Sequence, residues 1–237
     1  MDLQRNESNT HLSTQRARKA SRSFGKLVSQ RAVRKQAHES RVYSNYASLY
    51  DRTFGKIFYN RIKRVIASLN IPPGARVLEL GVGTGVSFPA YPKHCKVTGI
   101  DLAPEMLAQA NAKISRNRWS HLRVMQMDAL HLNFPNDTFD YVTAFHTVTV
   151  VPDPVQMVAE AKRVCRPGGQ IVIVNHFTSE LPIVGPLTEA LDPLTRHLGW
   201  STKLKLDEFL AATGLTVEAV YKLSKSSLYT IIRGRVL

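Results

Sequence analysis

Three glycines and three acids carry the most chemistry in this chain. The stretch VLELGVGTG places Gly81, Gly83 and Gly85 directly after a short apolar run, with Glu79 just ahead of them. A dinucleotide site asks for G-x-G-x-x-G, so that a pyrophosphate can rest on a helix N-terminus. Here the sixth position is Val86, and Pro89 and Pro92 follow soon after. Glycines let a backbone approach its ligand closely, and an acid beside them suits a cationic group. Asp101 and Asp128 each follow a further apolar run, and His146 and His176 follow two more. If those runs are parallel strands, all of these side chains lie at carboxyl ends, where open α/β sheets bind ligands.

The elements that would position them follow from periodicity. From about residue 54, Ile57, Phe58, Ile62, Val65, Ile66 and Leu69 recur at helical spacing, and the IPPG at 71–74 ends that helix. ARVLEL (75–80), KVTGI (96–100), RVMQM (123–127), FDYVTAF (139–145) and QIVIVNHF (170–177) read as strands. PEMLAQANAKI (104–114) and PVQMVAEAKRVC (154–165) read as helices between them, the second closed by RPGG with a glycine in the left-handed cap conformation. After a helix at 206–214, LTVEAVYKLS and SSLYTIIRGRVL read as a hairpin at the sheet edge. The expected fold is α/β: a Rossmann-like, doubly wound sheet of seven strands, mostly parallel with an antiparallel C-terminal strand, preceded by N-terminal helices.

Composition bounds the rest. The 237 residues suffice for one α/β domain with a segment to spare. Residues 1–70 hold +11 of the total charge of +14, so the basicity belongs to the N-terminal third. No stretch approaches the roughly 20 apolar residues of a spanning helix, and the first fifteen residues have no apolar core of a secretory signal. Cys95 and Cys165 lack metal-ligand spacing. They read as reduced thiols of a cytosolic protein, with no metal site implied.

G-x-G-x-G preceded by an acid, with acids after the second and third strands, resembles the class I S-adenosylmethionine (SAM) methyltransferases. That resemblance implies SAM as cofactor and S-adenosylhomocysteine as product. It puts Glu79, Gly81, Gly83, Gly85, Asp101, Leu102, Met106, Asp128, Ala129 and His146 around the cofactor. Asp101 would take the ribose hydroxyls, Asp128 the adenine side, and His146 in FHTVTVVPDP would lie beside the methyl group. A closer resemblance, from Tyr43 to the C-terminus, is to soluble bacterial phosphatidylethanolamine N-methyltransferases. It rests on YSNYASLYDRTFG, VLELGVGTGVSFPAY, MDALHLNFP, RPGGQIVIVNHF and LGW. It implies stepwise methylation of phosphatidylethanolamine through mono- and dimethyl forms to phosphatidylcholine.

Catalytic candidates are then Tyr43, Tyr46 and His146, as acceptors of the amine proton. Tyr43, Tyr46 and Tyr50 lie on one side of a helix and offer aromatic faces to a quaternary ammonium. Asn175, His176 and Arg196 complete the substrate-binding set, with Arg196 in a cover insertion (178–205) placed for the lipid phosphate. Two other acceptors stay open, a ubiquinone- or menaquinone-type quinone and a small amine. A reading of another class, a membrane-remodelling scaffold with vestigial SAM binding, also stays open.

The run QRARKASRSFGKLVSQRAVRK (15–35) has eight Lys or Arg and no acid. With Ala20, Phe24, Leu27 and Val28 as a short apolar stripe, it reads as a helix that docks on an anionic membrane. Its rivals are a nucleic-acid arm, disfavoured by the lack of nucleic-acid methylation motifs, and a transit peptide. The expected division is a docking segment at 1–40 and a methyltransferase domain at 41–237. The expected location is cytoplasmic, on the inner face of the membrane. The oligomeric state is left open.

Overall fold

A computed structural model describes residues 55–177, 204–224 and 227–237. In order they form α1 (Gly55–Ser68), β1 (Arg76–Leu80), a short 3-10 turn (Phe88–Ala90), β2 (Lys96–Asp101), α2 (Pro104–Asn117), β3 (Leu122–Gln126), β4 (Phe139–Phe145), α3 (Pro154–Val164), β5 (Cys165–His176), α4 (Leu206–Thr213), β6 (Thr216–Tyr221) and β7 (Tyr229–Arg235). The strands make one seven-stranded sheet in the order β3-β2-β1-β4-β5-β7-β6. The pairs from β3 to β5 are parallel, whereas β7 runs antiparallel to both β5 and β6.

The helices cover both faces, because β1 to β5 are apolar on both. Ile62, Val65, Ile66 and Leu69 from α1 pack with Leu107 and Ala110 of α2 against Val77, Val97, Val172 and Val174. On the other face, Met157, Val158, Ala161 and Val164 of α3 and Phe209 of α4 pack against Leu78, Leu80, Val142, Ile171 and Ile173. Each large aliphatic side chain removed from water this way stabilises the fold by roughly 1.5–3 kcal/mol.

The expected cap at RPGG is corrected. Helix α3 stops at Val164 and Cys165 is already extended, opening β5. Gly168 does take a positive φ, but it serves a bulge: Phe139 pairs with Cys165, and the next partner of β4 is Gln170 opposite Tyr141. The Gly168 N–H donates to Val236 O (2.8 Å) and the Val236 N–H to Gly169 O (3.0 Å), so pairing with the C-terminal strand outweighs a local cap. Helix α2 also runs past Ile114, ending at Arg118 in the left-handed conformation with its N–H on the Ile114 and Ser115 carbonyls.

Candidate active site

The strand order reverses between β1 and β4, which makes their carboxyl ends the switch point of the sheet. The glycine loop sits there. Gly81 has φ of 67°, and a Cβ on it would stand 2.5 Å from the Thr147 side chain, so only glycine fits. Thr147 in turn donates from Oγ1 to Leu80 O (2.9 Å), locking the loop after β4 to the end of β1. Gly83, at φ of 54°, faces the other way: a Cβ there would meet nothing within 4 Å. The loop is thus anchored on one side and open on the other.

Asp101 organises the open side. Its Oδ2 accepts from the Gly83 N–H (2.8 Å) and its Oδ1 from the Ala103 N–H (2.9 Å). Each oxygen keeps a second lone pair for a ligand hydroxyl. Burial pushes this carboxyl above its ordinary value, against the pull of backbone donors from Ala103, Gly83 and Leu102. The Met127 N–H donates to Asp101 O (3.0 Å), which draws the end of β3 alongside. Asp128 follows, half-buried, its Oδ1 accepting from the Leu130 N–H (2.9 Å), with Ala129 buried beside it. Leu102 and Met106, half-buried, flank the start of α2.

Glu79 lies beneath the loop and is almost fully buried. The Ser87 hydroxyl stands 2.8 Å from both of its oxygens, and Tyr91 also hydrogen-bonds to it. Desolvation outweighs those donors and raises its pKa to about 7. A carboxylate poised there is drawn into its charged form by a neighbouring cation. Ser87 and Tyr91 went unnoticed in the sequence. Their signal was indirect: an acid inside a buried strand needs donors, and the nearest lie in the turn that follows it.

The other half of the edge is built differently. His146 leaves β4 with φ of 60°, its N–H donating to Val174 O (2.8 Å). Its ring packs edge-on against Tyr229, centroids 4.6 Å apart, and His176 meets the same tyrosine at 6.2 Å. Tyr229 pairs with His176 across β5 and β7. Burial pushes the His146 pKa down to about 3, helped by His176 and by Arg61, and burial also lowers His176. Both rings are therefore neutral near pH 7. Asn175 is fully buried, its Nδ2 donating to Thr149 Oγ1 (3.1 Å) and His176 O (2.8 Å). It braces the loop after β4 against β5.

The edge therefore brings together Glu79, Gly81, Gly83, Gly85, Asp101, Asp128, His146 and His176. Tyr43, Tyr46, Tyr50, Arg196 and the basic run at 15–35 lie outside the described residues. Among the described residues, no group of three His, Cys, Asp or Glu is placed to hold a metal ion. Among them, too, no helix is long and apolar enough to cross a membrane.

The comparisons agree with this geometry. The family model described as "Methyltransferase domain" matches residues 78–173, from β1 into β5. Over 195 residues the chain is 40% identical to phosphatidylethanolamine N-methyltransferase of Cereibacter sphaeroides, covering 82% of this chain and 95% of that protein. It is 30% identical over 165 residues to demethylmenaquinone methyltransferase of Staphylococcus aureus (strain JH9), covering 66% of this chain and 67% of that one. The crystal structure of a SAM-dependent methyltransferase from Aquifex aeolicus superposes with a TM-score of 0.58 at 20% identity, over 74% of this chain and 89% of that one. The open glycine loop and the three acids fit SAM, with its ammonium, ribose and adenine. The chain belongs to the SAM-dependent methyltransferases, in the family that includes phosphatidylethanolamine N-methyltransferase.

Proposed function

We propose that this enzyme N-methylates phosphatidylethanolamine at a membrane surface, in successive steps that lead through mono- and dimethyl forms to phosphatidylcholine. The observation that carries this reading is the 40% identity to the Cereibacter enzyme, which spans nearly the whole of that protein. The quinone reading has weaker support, in the 30% identity over about two thirds of each chain.

SAM supplies an activated methyl group on a sulfonium. The chain's own part is to hold, orient and desolvate. Glu79 answers the ammonium, the glycine loop lets the backbone come close, and the free lone pairs of Asp101 receive the ribose hydroxyls. Leu102, Met106, Asp128 and Ala129 frame the adenine side. The acceptor nitrogen needs a neutral lone pair, whereas a primary amine titrates near 10.4 in water. An apolar, partly closed site favours the neutral amine. His146 stands beside the reacting centre as a neutral wall, because a group titrating at about 3 holds a proton poorly near pH 7. Removal of the proton then falls to Tyr43 or Tyr46, or to water. Tyr43, Tyr46 and Tyr50 offer aromatic faces to the growing ammonium, and Asn175 holds His176 in place.

The basic run at 15–35 serves as the dock. Each Lys or Arg near an anionic leaflet contributes about 1 kcal/mol, screened by salt. We place the working enzyme on the cytoplasmic face of the membrane, with 1–40 as the docking segment, 41–237 as the catalytic domain and 178–205 as the cover over the acceptor.

The test is a competition. Vesicles holding equal amounts of phosphatidylethanolamine and demethylmenaquinone are given labelled SAM and the extracted lipids are separated. Label in the phospholipid fraction is the expected result. Label confined to the quinone would replace this reading with its rival.

A further inference from the structure

A cation stands in the acceptor half that neither the glycine loop nor the reacting centre uses. Arg61 projects from α1, and its guanidinium carbon lies 4.5 Å from the centroid of the Tyr229 ring. Tyr229 is the residue that both His146 and His176 pack against. Arg61 is close enough to His146 to depress its protonation. Its Nη1 is shielded from solvent, and no acceptor among the described residues takes a hydrogen bond from it. Leaving a buried, charged donor without a partner is costly, and an anion is the partner that relieves it. The two imidazoles beside it are neutral, so the guanidinium is the fixed charge of this cluster. Stacking on Tyr229 holds its plane while leaving the N–H edge available for a forked contact with two oxygens.

We propose that Arg61 binds the phosphate of the acceptor's head group, with Tyr229 as the platform that orients it. This rests on the reading of the acceptor as a phosphorylated amine, and it goes beyond the expectation placed on Arg196. The site lies beside the carboxyl ends of β4 and β5, so the phosphate end of the acceptor sits in the half of the edge opposite Asp101 and Asp128. A quinone has no anion to offer Arg61, so the contact also sets specificity.

The wild-type enzyme is first assayed on phosphatidylethanolamine vesicles with labelled SAM; activity there secures the reading on which the proposal rests. Arg61→Gln is then expected to raise KM for those vesicles about 10- to 100-fold, the loss of a charge-assisted contact. Its kcat, SAM affinity and melting temperature should change little. Arg61→Lys should recover part of the KM, because it restores the charge without the fork. Arg64→Gln, an exposed arginine of the same helix, should match wild type. An unchanged KM in Arg61→Gln overturns the proposal, and so does a loss of SAM affinity in step with the KM, which would mark a structural role.

A second measurement uses the unaltered protein, so it does not depend on the variants folding. Arginines are modified with phenylglyoxal and mapped by mass spectrometry, alone or with glycerophosphoethanolamine, inorganic phosphate or ethanolamine. Protection of Arg61 by glycerophosphoethanolamine but not by ethanolamine supports the proposal. Equal protection by inorganic phosphate makes it a general phosphate site, and a stronger effect of the diester ties it to the head group. Protection of Arg196 alone, with Arg61 unaffected, overturns it.

Discussion

The two halves of the sheet edge carry opposite chemistry. At the ends of β1, β2 and β3 stand three carboxylates, Glu79, Asp101 and Asp128, on a loop whose glycines keep the backbone bare. At the ends of β4 and β5 and the start of β7 stand two neutral imidazoles, a phenol and a guanidinium. Thr147, held to the Leu80 carbonyl and against Gly81, is the seam between them. The difference shows how one fold edge can hold two ligands of different character. The donor, with its ammonium and hydroxyls, is met by acceptors of hydrogen bonds, and a phosphorylated amine is met by donors and aromatic faces. The division predicts that damage to one half should leave binding in the other intact.

The largest effect should come from Asp101→Asn. An amide offers one acceptor and one donor group, so either the Gly83 or the Ala103 N–H is left facing another N–H. With two backbone contacts and the ribose contacts weakened, SAM affinity should fall at least about 100-fold, as read by titration calorimetry. Protection of Arg61 by glycerophosphoethanolamine should survive. Loss of both would show that the halves are not separable.

Glu79→Gln should give a smaller, pH-dependent effect. The folded pKa of Glu79, about 7, lies above its ordinary 4.5, so the neutral acid favours the SAM-free fold. The stability it contributes is complete below about 4.5 and is lost as pH rises through about 7. A bound cation reverses the preference, so SAM binding should release a proton near pH 7 and tighten as pH rises through that range. In Glu79→Gln the proton release should vanish, measured by calorimetry in buffers of different ionisation enthalpy. The SAM-free variant should also melt no lower than wild type at pH 8. An unaltered proton release would move the ammonium contact to another group.

Asp153→Ala is the smallest change and serves as the control. Asp153 caps α3, its Oδ1 accepting from the Gln156 N–H (2.9 Å). Its loss should cost about 1 kcal/mol, a few degrees in melting temperature. SAM affinity and lipid KM should not move.

What the sequence made legible was local. The glycine loop, the acids after β2 and β3, and the apolar runs on either side of them are written in contiguous residues. Their placement needs only the rule that a parallel sheet gathers strand ends. The RPGG bulge was misread because the hydrogen bonds that fix it come from Val236 and from pairing with β4, both distant in the chain. Arg61 and Tyr229 were invisible for the same reason. Nothing near Arg61 distinguishes it from Lys63 or Arg64, its neighbours on α1. It becomes special only because β7 inserts antiparallel beside β5 and sets Tyr229 opposite His176. Glu79 was recognised as an acid near the ligand. Its burial among Ser87, Tyr91 and the sheet, and hence its raised pKa, needed the tertiary structure.

The central claim is that the acceptor is a phospholipid amine methylated in steps. The most direct measurement follows label from SAM into phosphatidylethanolamine vesicles over time, with the head groups resolved. Monomethyl product that rises first, then gives way to dimethyl and trimethyl forms, is the predicted result. An absence of labelled phospholipid, from enzyme that still binds SAM, would contradict the account.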